Sequence, residues 1–487
     1  MRSGSRYIKR GLSYLKRNGL KKTVFKGVER LQRDTLEKDY APSHADEATL
    51  CAQRDHVFER PYRFSILVPV YETDPALFME MLRSVGDQTY GNWELILADA
   101  SRDDMRRNTV REFSEEYNLR CKDTFGSIFD KVVYLKLSDN KGIAANTNEA
   151  LSHASGDYVA LLDHDDILEN TALFDIMSAI DEAERAQMDR DTIMHVMAVY
   201  TDEDKITSDG TCYFDHHVKP DFDPVLLCTN NYICHFFVAD TDLAKGVGGF
   251  LPGYDGAQDH DFILRCVEGQ KREQVIHVPK VLYHWRSTKD STAENPDAKL
   301  YAYEAGRRAV ADHFKRLGMS VKVTNSSHLG FFELEYERLD APVTVMSTEE
   351  FEKYRSDPGK LCESGYLMIL SDSLKPAAKD HTAVMLSAMA LPYVGAVTGM
   401  ITTRRWKTES AGYDRVDGRL IPRFEGLFKG FSGYKHRARI DQLVDAFTED
   451  CVLLRTEAVK EYYPQIALKD GYDVYYMPKA EFIRKNV

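Results

Sequence analysis

None of the eight cysteines pairs with another in a C-x-x-C spacing, which excludes a zinc ribbon and gives no sign of a disulfide framework. His216 and His217 lie near Cys212, but that spacing matches no known zinc site. No stretch near the N-terminus is apolar or long enough for a signal peptide or a membrane span. Residues 382–401 carry no charge, yet Pro392, Gly395 and Gly399 interrupt them. They read as a helix ending near Leu391 followed by a buried strand at 394–397, not as a transmembrane helix. Excess positive charge is missing too: the net charge of −13 argues against nucleic acid as the general partner. With 487 residues and 43% hydrophobic content there is chain enough for two cores, so these absences predict a soluble, intracellular protein of two domains.

Charge is unevenly spread. Residues 1–33 hold eleven Lys or Arg against the single acid Glu29, so this arm is about +10 and the remainder about −23. Leu20, Val24, Val28 and Leu31 lie at helical spacing, after an earlier stripe of Ile8, Leu12 and Leu15. A basic amphipathic helix of this kind lies on an anionic membrane surface, or packs on the protein with its basic face in solvent.

The most informative stretch is Ala154-Ser-Gly-Asp-Tyr-Val-Ala-Leu-Leu-Asp-His-Asp-Asp-Ile-Leu168, where an apolar strand runs into Asp163, Asp165 and Asp166. Carboxylates leaving the C-terminal edge of a buried strand stand where open α/β sheets bind ligands. Their oxygens suit hard cations such as Mg²⁺ or Mn²⁺. An acidic cluster after a strand also serves as a helix cap or solvated turn, so the surroundings decide. Upstream, residues 64–71, 93–98 and 132–137 read as buried strands, the first followed by a helical pattern through Leu77, Met81, Leu82 and Val85. They end in Tyr71, in Asp99-Ala-Ser-Arg-Asp103 and in Ser138-Asp-Asn-Lys-Gly-Ile143. Strands alternating with helices predict a mostly parallel, doubly wound α/β sheet whose loops gather at one edge.

Residues 62–325 resemble a family 2 glycosyltransferase with a GT-A (Rossmann-like) fold. The resemblance rests on Val-Pro-Val-Tyr71, Asp99-Ala-Ser, Asn140-Lys-Gly-Ile143, Asp163-His-Asp-Asp166, Tyr200-Thr-Asp-Glu-Asp-Lys205, Asn231-Tyr-Ile-Cys-His235, Gly248-Gly-Phe250, Gln258-Asp-His-Asp261 and Tyr283-His-Trp-Arg286. These motifs stand in family order and are most similar to the branch that builds bacterial cell-surface polysaccharides. The resemblance implies a hexosyl- or deoxyhexosyltransferase that uses Mn²⁺ or Mg²⁺, a nucleotide-sugar donor, and a lipid-linked or growing glycan as acceptor, at the inner face of the cell membrane.

Transfer from a nucleotide diphosphate sugar requires neutralisation of the leaving diphosphate, which a cation held by Asp165, with Asp163 nearby, would supply. Asp163 alternatively faces the donor's ribose or sugar hydroxyls. The family implies Asp259 as the general base, with inversion at the anomeric carbon; the same residue also suits the N-terminus of a helix before Phe262. Pro69, Tyr71 and Asp99 are expected to recognise the nucleobase, with the Tyr71 ring stacking and Asp99 accepting from a base N–H. Asn140, Lys141, Asn146 and Asn148 form a polar set suited to ribose or phosphate. Thr147 stands where many relatives carry an arginine, which puts that arginine's contact in doubt. His284 and Arg286 are expected as a metal ligand and a diphosphate contact, although a histidine beside Trp285 is also an ordinary packed side chain. Asp202 and Asp204 are expected to face the donor sugar or the acceptor.

Beyond residue 325 the chain repeats itself in worn form. Ser364-Gly-Tyr-Leu-Met-Ile-Leu-Ser-Asp-Ser373 matches Ser155 to Asp165 with one deletion, placing Ser371 at Asp163 and Ser373 at Asp165. The segments starting at Asp450 and Val474 match those starting at Ile233 and Val275. Serine hydroxyls do not replace carboxylates around a divalent cation. The expected organisation is therefore a basic arm and linker (1–60), a catalytic domain (61–325) and a smaller, degenerate GT-A-like α/β domain (326–487). The last serves as a platform for acceptor or partner, or covers apolar surface. A helix over 298–317, closed by Gly318, joins the two halves. Two rivals stand beside this reading: a non-catalytic scaffold for glycan assembly, and a sugar nucleotidyltransferase. The second would carry a glycine-rich basic loop after the first strand, and Val70-Tyr-Glu-Thr-Asp-Pro75 is neither.

Overall fold

The computed structural model of the protein describes residues 23, 27–29, 40–120, 131–188, 194–287, 300–361, 364–463 and 465–485. The basic arm expected at 1–33 lies outside these, apart from helical residues 23 and 27–29. The chain divides into two compact units: Leu36–Phe222 with Asn231–His313, and Met1–Thr35 with Asp223–Asn230 and Phe314–Val487. Asp223–Asn230 joins the second unit because Asp223 caps the helix Pro224–Thr229 and accepts from Leu443 N at 2.7 Å. The division near residue 313 falls inside the helix Leu300–Arg316, which ends in a left-handed Gly318 (φ 71°).

In the first unit the strands are β1 (Phe64–Val70), β2 (Trp93–Asp99), β3 (Val132–Lys136), β4 (Tyr158–Leu161), β5 (Ile167–Leu168), β6 (Ala198–Thr207), β7 (Tyr213–His217), β8 (Phe237–Asp240) and β9 (Val275–Ser287). They form one sheet in the order β3-β2-β1-β4-β8-β6-β9-β5, with β7 on β6. The β3-β2-β1-β4 side is parallel throughout, with β1 and β2 buried on both faces, whereas the edge strand β3 is half-buried rather than buried as expected. β6 and β9 are also parallel, whereas β8 runs antiparallel to both β4 and β6, and β5 antiparallel to β9. The expected α/β sheet is therefore present, with antiparallel pairs entering beyond β4.

Helix α1 (Pro75–Gly86) shows why the sheet is covered. Asp74 caps it by accepting from Ala76 N, Pro75 opens it, and Phe78, Met81, Leu82 and Val85 form one buried stripe. A Cβ on Gly86 would lie 2.9 Å from Phe113 and Tyr117 of α2 (Met105–Arg120), so only glycine permits this helix contact.

The second unit repeats the far side of this sheet. Its strands run Val343–Met346, Tyr366–Leu370, Cys451–Arg455, Val394–Thr402, Asp473–Arg484 and Leu374–Pro376, with Thr408–Ser410 added on Val394–Thr402. The successive pairings are parallel, antiparallel, antiparallel, parallel and antiparallel. That is the pattern of β1-β4-β8-β6-β9-β5 with β7 on β6, and the three sequence matches fall on matching strands. Among the described residues, nothing corresponds to β2 and β3: only the helices Thr348–Tyr354 and Pro358–Leu361 separate the first two strands. The uncharged stretch from 382 to 401 is a helix, His381–Ser387, then the fully buried strand Val394–Thr402. No helix among the described residues is long and apolar enough to cross a membrane.

Candidate active site

β4 is held between β1 and β8, so the acidic segment after it leaves at the sheet edge. One ligand atom from each of Asp163, Asp166 and His235 lies within 4.8 Å of the other two. Tyr283 organises them: its hydroxyl donates to Asp166 Oδ2 at 2.5 Å, and its ring stacks on His235 at 4.7 Å between centroids. Burial, with the charges of Asp165 and Asp163 beside it, pushes the Asp166 carboxyl well above its usual range, and burial also raises Asp165. The Arg286 guanidinium and His164 offset this only in part at Asp165, and two carboxylates with an imidazole are a donor set that fits a divalent cation.

Helix α3 spans Ile143–Ser152, and Asp259 lies in the first turn of α4 (Gln258–Val267). Asn231 Nδ2 donates to Asp259 Oδ2 at 2.8 Å, while Asn231 Oδ1 accepts from Cys234 N at 3.2 Å. The thiol of Cys234 is pushed up by burial and by the charges of Glu203, Asp259 and Asp163. Asp259 and the acidic cluster therefore act on a common locality.

On the parallel side, the Tyr71 ring is exposed at the end of β1, and Pro69 is half-buried two residues before it. Asn140 and Lys141 are exposed ahead of α3, where Asn140 Oδ1 accepts from Gly142 N at 3.1 Å and Asn146 Nδ2 at 3.0 Å. Asp99 is fully buried; its carboxylate accepts from Ser101 N, the Tyr134 hydroxyl and Lys136. Burial opposes its charge, but these hydrogen bonds hold its carboxyl below the usual range.

The other expected residues have these partners. His284 stands outside that donor set: Nδ1 lies 2.6 Å from Asp204 Oδ1 and Nε2 2.8 Å from Glu169 Oε1. Arg286 donates its backbone N–H to Asp166 Oδ1 at 2.7 Å. It is fully buried, with Nε on the Asp165 carbonyl at 2.8 Å and a terminal nitrogen on Glu80 at 2.5 Å, and it clamps the acidic segment. Asp202 is buried and accepts from Lys219 N and His277. Asp204 is buried too, and Tyr40 donates to it at 2.8 Å. Asn148 spends its amide on both backbone groups of Phe250. Asp165 stands outside the three-residue donor set, 3.6 Å from His164 Nδ1. Thr147 bonds back to the Ile143 carbonyl and replaces no arginine contact.

Sequence reading missed roles for His235, Asn231 and Tyr283. A signal is present, since two of them bound the Asn231-to-His235 motif and the third opens the Tyr283-to-Arg286 motif, but residue type alone assigns none of them a partner.

Burial alone disfavours a charged His284, yet hydrogen bonds from its ring to Asp204 and Glu169 carry its pKa up to about 9. Because the folded value exceeds the unfolded 6.5, the stabilisation is fully present below about pH 6.5 and is lost as pH rises through about 9. Its size is of the order of 3 kcal/mol. The melting temperature of the wild type is expected to fall between pH 7 and pH 10 by more than that of His284→Gln; parallel curves would remove this assignment.

Residues 65–230 match the family model described as "Glycosyl transferase family 2". The chain is 42% identical over 261 residues to the uncharacterized protein y4gI of Sinorhizobium fredii, covering 53% of this chain and 26% of that one. It is 30% identical over 306 residues to the O-antigen biosynthesis protein RfbC of Myxococcus xanthus, covering 60% and 22%. A shorter match, 35% over 106 residues, covers 22% of this chain and 36% of the Escherichia coli UDP-Glc:alpha-D-GlcNAc-diphosphoundecaprenol beta-1,3-glucosyltransferase WfgD. The chain thus spans about a quarter of the length of the first two relatives.

Proposed function

Because residues 65–230 form a glycosyl transferase family 2 domain, we propose that the protein is an inverting, metal-dependent glycosyltransferase. It moves a sugar from a nucleotide diphosphate donor to a hydroxyl of a lipid-linked or growing cell-surface glycan. The observation that carries this reading is the carboxylate of Asp259, steered by Asn231, beside the Asp163, Asp166 and His235 donor set. The relatives named for O-antigen synthesis and for glucosyl transfer to a diphosphoundecaprenol acceptor support the same substrate class.

In this reading Tyr71 stacks on the nucleobase above Pro69, and Asn140 and Lys141 bind ribose or phosphate. Asp259 takes the proton from the acceptor hydroxyl as its oxygen attacks the anomeric carbon. The bond from that carbon to the diphosphate oxygen breaks on the opposite face, which inverts the configuration. A divalent cation, when held by Asp163, Asp166 and His235, supplies Lewis-acid neutralisation of the leaving diphosphate. The imidazole in the set favours Mn²⁺ over Mg²⁺. Arg286 keeps the acidic segment in place by its bonds to Asp165 and Glu80.

The second unit does no chemistry in this reading and serves as a platform for acceptor or partner. Ser371 and Ser373 stand 2.7 Å apart where the first unit has acids, and Arg484 donates to Ser373, Glu409 and Asp450. Arg484 pairs across from Leu374 as His284 does from Ile167, so a built-in guanidinium supplies the local positive charge. The basic arm at 1–33 holds the protein on the anionic inner face of the membrane.

Nucleotide release from a panel of UDP-, GDP- and dTDP-sugars, with Mn²⁺ or chelator and with membrane lipid extract as acceptor, tests the proposal. Mn²⁺-dependent release from one donor is expected. Silence across the panel, together with no metal-dependent nucleotide binding, would favour the scaffold.

A further inference from the structure

The second unit carries a surface feature that catalysis does not use. Between its edge strand Thr408–Ser410 and the strand Cys451–Arg455 it inserts a two-stranded hairpin, Tyr413–Val416 with Arg419–Pro422. The turn residues Asp417 and Gly418 have φ of 49° and 75°, the paired left-handed conformations of a tight two-residue hairpin turn.

At the tip three aliphatic side chains face solvent: Val416 is 48%, Leu420 43% and Ile421 47% exposed. Across the ladder Arg415 pairs with Leu420 on one face, while Val416 pairs with Arg419 and Ile421 with Asp414 on the other, so each face of the hairpin tip carries an aliphatic group and a guanidinium. The Asp414 carboxylate is paired with Arg423. The wider segment 403–439 holds ten Lys or Arg against four Asp or Glu, in a chain whose net charge is −13. It also receives the N-terminal arm: Glu29 accepts from Ser432 N, from Ser432 Oγ at 3.0 Å and from Gly433 N at 3.1 Å. Glu29, the single acid of the strongly basic sequence 1–33, thereby meets the same basic segment.

We propose that this hairpin docks the protein on an anionic phospholipid bilayer, with Val416, Leu420 and Ile421 entering the boundary between headgroups and acyl chains and Arg415 and Arg419 at lipid phosphates. Guanidinium groups on long stems beside aliphatic side chains suit that boundary. A soluble polyanion would use the arginines but has no place for the three aliphatic groups of the hairpin, whereas the exposed rings of the wider segment, Trp406, Phe428 and Tyr434, also suit the headgroup boundary. The inference extends the membrane part of the function proposed above, and the experiment separates the two.

Full-length protein is sedimented with vesicles of phosphatidylcholine containing 30% phosphatidylglycerol, and with phosphatidylcholine alone. Three full-length variants are compared: Val416→Ser/Leu420→Ser/Ile421→Ser, Arg415→Gln/Arg419→Gln, and an arm variant in which Lys16, Arg17, Lys21 and Lys22 become Gln. Binding to the anionic vesicles is expected to drop about tenfold or more in the serine variant and roughly 25-fold in the arginine variant, with melting temperatures unchanged because the side chains are exposed. Wild-type affinity in both hairpin variants, with loss in the arm variant, would overturn the hairpin and leave the arm standing. Absence of wild-type binding would overturn both. Loss in the arginine variant alone would point to a polyanion and overturn bilayer docking.

Discussion

Asp259→Asn is expected to lower kcat for sugar transfer by about 10²- to 10⁴-fold, the usual contribution of a positioned general base, with donor affinity nearly unchanged. The substitution is a clean probe because the amide keeps the local geometry. Asn231 Nδ2 donates to Asp259 Oδ2, and an asparagine at 259 can still offer a carbonyl oxygen there. What it loses is the capacity to accept a proton at the attacking oxygen. Single-turnover kinetics with saturating donor separate the two quantities. A variant retaining activity within about threefold would exclude Asp259 as the base.

The second large effect concerns the cation. Asp163→Asn and His235→Ala are each expected to lower transfer by about 100-fold or more, since the Lewis acid contributes several kcal/mol to the leaving-group step. Activity is not the only readout. Binding of Mn²⁺ at a hundred times its Kd adds about 2.7 kcal/mol of stability, so the wild type should melt at a higher temperature with Mn²⁺ than with chelator. The two variants should lose that increment. His284→Gln should keep it, although it loses its own pH-dependent stabilisation, because His284 bonds to Asp204 and Glu169 rather than joining the donor set. A Mn²⁺ increment that survives in His235→Ala and vanishes in His284→Gln would reverse the ligand assignment made here.

That contrast shows where sequence reading stops. The strands β1, β2, β3 and β4 were legible to within one or two residues because each is a short apolar run bounded by polar turn residues, and burial on both faces leaves little other choice. The acidic cluster and the N-terminal position of Asp259 were legible for the same local reason. So was the worn repeat, since Tyr366–Leu370, Cys451–Arg455 and Asp473–Arg484 occupy the places of β4, β8 and β9 in the second sheet. The partners of Asp202, Asn148 and Arg286 were not legible because they lie far away in sequence. Arg286 meets Glu80 across 206 residues, and Asn148 meets Phe250 across 102.

The sequence by itself determined the strands β1 to β4, that carboxylates follow β4, and that the second half has serines at the matching places. Tertiary structure alone decided which side chains share the site, and the deciding quantity is strand parity. Successive residues of a strand point to opposite faces. Tyr283 and Trp285 of β9 meet His235, and Tyr283 also bonds Asp166, whereas His284 and Arg286 turn the other way to Asp204, Glu169 and Glu80. A run such as Tyr-His-Trp-Arg names the residues available to a site, but only the pairing of β9 with β5 and β6 settles which alternate pair faces the acids.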